Sequence, residues 1–355
     1  MTDQPPPPTP PSGPGESGPS DPTPPPIGGY PPGMVPYGGP PGWVPDGGQP
    51  GMGPYGGQPW YPSPVGWYPP GYGFDPYDPL VTPPGAGLGG WFDRCGGALR
   101  RGWRQLVPIL LLTQVLPAAV LSVISLGLDP SAKWAAQAES DPTIVLPDNF
   151  VADLLGIIVV LVGGSLVIGL VQAVGWAAGS WVITQQAAGQ PGNLDSALRY
   201  GLRRALGLWG WTMLISVLVG VGFCLCVLPG IYLAFALSMA GPVYLFERRD
   251  PIGRSFRMFH DRLGLLLGRV ALVALAVIVG SLIPGALEGV GTSAFGTDPL
   301  ASPGTAAGAV AVIGVTAVLA LPAHLAQLIG LLVTYTEQRA HEAPVNTAGL
   351  AAELG

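Results

Sequence analysis

Apolar residues gather in six long runs, at about residues 103–128, 151–183, 207–228, 230–246, 264–287 and 305–335. Each approaches or exceeds the ~20 residues that carry a helix across a ~30 Å hydrocarbon core. A backbone in lipid must satisfy its own hydrogen bonds, so each run is expected to be a helix. The second run exceeds one crossing and is expected to tilt or project. Asp129 to Phe150 and Glu288 to Gly304 read as polar loops, and Gly189-Gln190-Pro191-Gly192 as a break. Pro229-Gly230 predicts a tight turn between the third and fourth runs.

A basic amphipathic segment precedes three of the runs. The first, Trp91 to Arg104, holds Arg94, Arg100, Arg101 and Arg104. In the second, Asn193 or Asp195 can cap a helix in which Leu194, Leu198, Leu202 and Leu206 fall at spacing four, with Arg199, Arg203 and Arg204 off that stripe. In the third, Asp250-Pro251 supplies a cap followed by Pro at the first helical position. There Ile252, Phe256, Phe259 and Leu263 share a face, with Arg254, Arg257 and Asp261 off it. Each predicts a helix lying in the interface plane, basic side to the headgroups. Short matches support an internal repeat: Arg199, Arg204 and Gly210 align with Arg257, Arg262 and Gly268, and Ala98-Leu99-Arg100 aligns with Ala197-Leu198-Arg199. The expected unit is surface helix, span out, span back, three times over. The fold class is thus all-α: a polytopic membrane protein of six transmembrane helices with amphipathic surface helices.

Composition adds a second region. Most of the 43 prolines lie in residues 1–88, mixed with Gly and later with Tyr and Trp. Pro36-Tyr37-Gly38-Gly39 recurs as Pro54-Tyr55-Gly56-Gly57, and Trp60-Tyr61-Pro62 as Trp67-Tyr68-Pro69. With few aliphatic residues to bury, residues 1–88 are expected to be a disordered tail, partly polyproline II. It reads either as a solvated spacer or as an arm whose spaced aromatics dock on a partner. No basic stretch followed by an apolar one opens the chain, so no cleavable signal peptide is expected. The membrane domain is expected at 89–340, with 341–355 a short polar end.

Charge sets orientation. Counting Arg104 and Arg269 at helix ends, fourteen of the 15 Lys and Arg lie before the first run, between the second and third, between the fourth and fifth, or after the sixth, and Lys133 alone lies opposite. Basic residues near span ends stay cytoplasmic, so both termini are expected inside the cell. The net charge of −6 does not argue for a nucleic-acid partner, since phosphate binding needs a basic face, and none is expected. Cys95, Cys224 and Cys226 are too few for a disulfide framework and read as small apolar packing residues.

Polar residues inside the runs are the candidate chemistry. Gln114, Gln172, His324 and Gln327 are the main ones. Gln172 and His324 fall at similar depth, and Gln114 nearer the midplane. They read as helix ties, or as the polar lining of a path for a small solute or proton with His324 titrating. Pro322 should bend the sixth span. Gly175 with Gly179, and Gly264 with Gly268, allow close helix contact, within the chain or in a homo-oligomer. Arg199, Arg203, Arg254 and Arg257 lie where anionic headgroups are, and serve topology alone or a lipid-phosphate site as well.

Pro229-Gly230-Ile231-Tyr232-Leu233, Pro242, Glu247, Arg254-Ser255-Phe256 and Arg269 resemble the membrane domain found in front of some bacterial glycerophosphoryl diester phosphodiesterases and in stand-alone relatives. The resemblance extends weakly over residues 91–342, with Arg339 and Glu342 as matching polar positions, and leaves out the tail. It implies six spans with cytoplasmic ends in a bacterial plasma membrane, and no agreed activity. The soluble catalytic domain of those enzymes has no counterpart here, and His260, His324 and His341 stand far apart in sequence. No catalytic centre, metal site or cofactor is therefore expected. The expected function is a non-enzymatic scaffold that contacts anionic phospholipids and recruits a protein partner through its tail. The alternatives are a transporter for a small or lipid-derived solute, and an accessory to phospholipid turnover.

Overall fold

The computed structural model describes residues 75–140, 146, 147, 149–296 and 298–355. The expected tail lies, from residue 1 to 74, outside the described residues. Among the described residues there are helices and no strands. They are α1 (Gly87–Leu110), a π-helical turn (Leu111–Val115), α2 (Leu116–Gly127), α3 (Ser131–Ser140), α4 (Phe150–Ala187), α5 (Leu194–Leu225), α6 (Val227–Ala236), α7 (Ala240–Phe246), α8 (Pro251–Asp261), α9 (Leu263–Ser293), α10 (Pro303–Leu319), α11 (Leu321–Glu342) and α12 (Thr347–Leu354). Six helical stretches are long and apolar enough to cross a membrane: Gly87–Ser140, Phe150–Ala187, Leu194–Leu225, Val227–Phe246, Leu263–Ser293 and Pro303–Glu342.

Helix starts follow the local chemistry. Asn193 accepts from the Ser196 amide at 2.8 Å, Asp250 from Gly253 at 3.0 Å, and Asn346 from Gly349 at 2.7 Å, each answering an amide that has no partner within its helix. Pro108 and Pro117 flank the π-helical turn, where the i−4 ladder cannot run regularly. Span six changes from α10 to α11 at Ala320, two residues before Pro322, where a bend was expected.

Two of the three basic amphipathic segments are not separate helices. α1 and α5 run without a break from their basic ends into the membrane, and α5 has 32 residues. On α5 the bundle-facing stripe is Ala197, Gly201, Ala205 and Leu208, whereas Leu202 and Leu206 are 67% and 68% exposed. Both stripes recur at helical spacing, and the small one wins because it lets α4 approach. A Cβ on Gly201 would stand 2.6 Å from the Val174 carbonyl oxygen. The third segment, α8, is a separate helix, divided from α9 at Arg262. The expected turn at Pro229-Gly230 also moves. The reversal is made by Cys226 alone, in extended conformation, and Pro229 and Gly230 lie in the first turn of α6. Gly230 then touches Gly222 across the reversal, where a Cβ on Gly222 would be 3.0 Å from its Cα.

Both ends of the membrane domain extend beyond the expected boundaries. Leu80, Val81 and Thr82 are buried, and so are Leu350 and Leu354 of α12. The Thr347 amide donates to Asp78 at 2.8 Å, and Thr336 donates to the Leu80 carbonyl at 3.1 Å. Arg94 and Arg101 donate to the carbonyls of Pro76 and Pro79. Residues 75–86 are thus a packed strap, and the C-terminal segment expected to be a polar end is a docked helix.

The buried core gathers in one half of the bundle, the half that carries the charges. α4 buries residues only from Ala173 to Thr184, leaving its first two dozen positions with no buried residue. α4 packs on α5 and α1, α1 on α11, and α11 on α9, while α7 closes on α5 and α11. Gly201→Ala should cost about 1–3 kcal/mol, because the obstructing atom is backbone. Gly268→Ala, where an added Cβ would meet no other part of the structure within 4 Å, should stay within about 0.5 kcal/mol. Unfolding in mixed micelles measures both, and equal stability of the two variants would contradict the α4–α5 contact.

Candidate functional site

Two polar features stand out, one at the charged end of the bundle and one within it. The first is built on Glu247, at the C-terminal end of α7. Its carboxylate accepts from Arg254 Nε at 2.9 and 3.2 Å and from the Tyr335 hydroxyl at 3.2 Å, with Arg339 at 3.7 Å. Arg254 also donates to Glu342, and Arg339 to Glu353 at 2.9 Å. Four helices, α7, α8, α11 and α12, are thereby joined. Burial works against the Arg254 charge, but hydrogen bonds to Glu342 and Glu247 outweigh it and hold the guanidinium above its ordinary value.

A second ion pair lies deeper. Arg269 of α9 donates from Nε and Nη2 to Glu337 of α11 at 3.0 and 3.1 Å, with side-chain exposures of 8% and 2%. Its guanidinium also stands 5.8 Å from the Trp91 ring centroid, and Trp91 donates to Thr334 at 3.1 Å. A bidentate arginine can compensate the desolvation of such a pair, but neither ion is tolerable alone.

The fourth span explains α8. It is interrupted at residues 237–239, between α6 and α7. Ala240 turns its amide to Leu237, at 3.1 Å, so the Ala236 carbonyl is free of its usual partner. Ser255 of α8 donates to that carbonyl at 2.7 Å. On either side, Arg254 holds Glu247, and the Phe256 ring packs 6.2 Å from Tyr232 of α6. His260 accepts at Nε2 from the Tyr232 hydroxyl at 3.0 Å if, as the 2.8 Å contact from Nδ1 to the Phe256 carbonyl requires, its proton sits on Nδ1.

Interrupted helices at membrane depth line cavities, and this one does. A cavity of about 680 Å³ is walled by α4, α5, the α6–α7 break, α9 and α11. Gln172, Ser180, Ser238 and Gln327 contribute polar surface, and Trp176, Leu245, Val273 and Leu331 apolar surface. Ala234 of α6 and Ile278 of α9 line it and are also exposed. α6 packs on α5 and α8, while α9 packs on α10, α11 and α8. The cavity accordingly opens sideways between α6 and α9, a gap bridged at the charged end by α8.

The four intramembrane polar candidates therefore separate. Gln172 and Gln327 meet at the cavity. Gln114, buried on the π-helical turn, donates to the backbone carbonyl of Gln172 at 3.0 Å and ties α4 to span one. His324 is half-buried on the first turn of α11, off the cavity wall, and its imidazole has no hydrogen bond among the described residues. A titrating path through His324 finds no continuation in this geometry. The headgroup candidates separate too. Arg254 is taken up by Glu247 and Glu342, and Arg199 pairs with Asp195 at 2.9 Å on an exposed face. Arg203 and Arg257 are exposed and unpaired among the described residues. Gly175 and Gly179 are used within the chain, facing Thr113 and Leu328, while a Cβ on Gly264 or Gly268 would meet nothing within 4 Å.

Glu337 and Glu353 carry the charged end and were not singled out from the sequence. The available signal was an acidic residue in or beside the last apolar run, opposite in sign to the basic residues gathered on that side. Comparisons of the chain with family models, with curated proteins and with solved structures give no match.

Breaking the deep pair should be costly. Arg269→Met should destabilise by about 3–5 kcal/mol by leaving Glu337 buried and unpaired, and Arg269→Met with Glu337→Leu should recover most of that loss. Thermal unfolding in detergent checks it, and a double variant no more stable than the single one would contradict the pairing.

Proposed function

We propose that the chain is an integral protein of a bacterial plasma membrane, with both ends on the cytoplasmic side, that binds an amphiphile drawn sideways from the bilayer and performs no chemistry on it. The observation that carries this reading is the cavity between α6 and α9. Its volume lies in the usual range for ligand sites, and its mouth faces the hydrocarbon core. No acid, base or thiol lines it, so the lining supplies hydrogen bonds and packing, and no group that would move a proton.

A scaffolding role is compatible with the same geometry, and one observation favours it as a second reading. Arg203 and Arg257 are exposed, and Arg203 neighbours the exposed Leu202 on α5. That combination suits contact with anionic phospholipid headgroups at the cytoplasmic surface. The strap at residues 75–86 would then fix the base of a tail that recruits a protein partner. The resemblance to a membrane domain that accompanies a phosphodiester hydrolase agrees with a place near phospholipid turnover.

Protein purified in mild detergent is expected to retain lipid, and Ala274→Trp, which puts an indole into the cavity, should lose it. Val279→Trp, on the lipid-facing side of α9, should not. Mass spectrometry of extracted lipid gives the readout, and equal retention by both variants would overturn the cavity reading. For orientation, a lone cysteine at Arg257→Cys, in a background without Cys95, Cys224 and Cys226, should react with an impermeant maleimide only after the membrane is opened.

A further inference from the structure

We infer that the occupant of the intramembrane cavity is an uncharged glycerolipid of the diacylglycerol type, held by its ester and hydroxyl groups on Gln172 and Gln327. This inference rests on the amphiphile-binding reading above and narrows it to one chemical class.

The first ground is charge. Every residue that lines the cavity is uncharged. The nearest cation along α9 is Arg269, one residue before the lining Val270, and its guanidinium is neutralised by a bidentate pair with Glu337. Arg254 and Arg339, further toward the charged end, are matched by Glu247, Glu342 and Glu353. A phosphate drawn into the cavity would be buried without a counter-ion, and burial of an unpaired charge is strongly unfavourable.

The second ground is hydrogen bonding. The side-chain amides of Gln172 and Gln327 are half-buried in the wall, and neither has a hydrogen-bond partner among the described residues. Each offers two donors and an acceptor. An ester carbonyl takes the donors, and a free hydroxyl can use the acceptor as well. A hydrocarbon chain alone would leave both amides unsatisfied, which a low-dielectric site penalises. The third ground is the mouth. The gap between α6 and α9 is bounded by Ala234 and Ile278, both apolar and the first of them small, so acyl chains can trail through it into the bilayer while the glycerol backbone stays inside.

The test uses the full-length protein in nanodiscs of a zwitterionic phospholipid, with two photoactivatable probes of identical acyl chains, one diacylglycerol and one phosphatidic acid. The diacylglycerol probe is expected to label peptides spanning residues 234–245 and 270–278 about tenfold more than the phosphatidic acid probe does, above the labelling at lipid-facing Ile283. Gln172→Leu with Gln327→Leu should lower that labelling about three- to tenfold and leave Ile283 unchanged. Competition by unlabelled diacylglycerol against unlabelled phosphatidic acid on the unaltered protein gives the same discrimination without any variant. Equal or stronger cavity labelling by the anionic probe would overturn the class and leave amphiphile binding standing. Labelling by neither probe above the Ile283 level would overturn both. Unchanged diacylglycerol labelling in the double variant would remove the two amides from recognition.

Discussion

A helix cannot break inside a membrane without an answer for the carbonyls it frees. The fourth span breaks between α6 and α7, and much of the charged end can be understood as that answer. Ser255 takes the Ala236 carbonyl, Glu247 at the end of α7 takes Arg254, and Tyr335 and Arg339 bring α11 to the same carboxylate. α8 is thus held on the broken span by side chains in register along one helix. In a low-dielectric setting these bonds are strong when complete and costly when partial, so the short fourth span, the α8 linker and the last helix depend on one another.

The same constraint divides the molecule. Toward the charged end, packing is dense and the small residues of α4 and α5 are in backbone contact. Toward the other end, α4, α5 and α9 present large apolar side chains outward, among them Val167, Val221 and Ile283. Lipid, as apolar as these side chains, removes the hydrophobic incentive for them to close on each other. Hydrogen bonds and close backbone contact must do the joining, and these are concentrated where the polar residues are. A cavity opening between α6 and α9 follows from this distribution, since α6 is tied to α5 and α8 and has little to hold it against α9.

How much of this was legible in the sequence depended on which property carried it. Six spans were legible because apolar length is a one-dimensional property, and Asn193 and Asp250 as caps because capping is local. The fused α5 was not, because the Leu stripe and the Ala/Gly stripe share a period, and only the approach of Val174 to Gly201 decides which faces inward. The turn at Cys226 was hidden for a related reason: Pro229 is acceptable in the first turn of a helix, so Pro-Gly did not have to mark the reversal. For the candidate site, polarity within an apolar run was enough to single out Gln172 and Gln327, which both line the cavity. Depth says nothing of azimuth, and so it grouped His324 with Gln172 although His324 is not among the residues that line the cavity. The strap and α12 were missed because a short apolar segment such as Leu80-Val81 has no periodic signal and gains its burial only from distant partners.

The arginines show why charge position and charge availability must be kept apart. Their concentration on one side is what the positive-inside rule counts, and the rule is indifferent to what each side chain touches. Lipid attraction is not. Arg94 and Arg101 hold the strap, Arg248 and Arg262 take the carbonyls of Glu353 and His341, and Arg254, Arg269 and Arg339 hold carboxylates. Each contact lowers the field that reaches a headgroup, so a sum of ~1 kcal/mol per basic residue would overstate surface attraction several-fold. What remains available, Arg203 and Arg257 above all, sits on α5 and α8, the helices that border the cavity-bearing half of the bundle. Surface attraction and intramembrane binding are therefore not rival designs: the first would draw the protein's face toward anionic lipid, while the uncharged cavity proposed to bind lipid would favour a molecule that has no phosphate to offer.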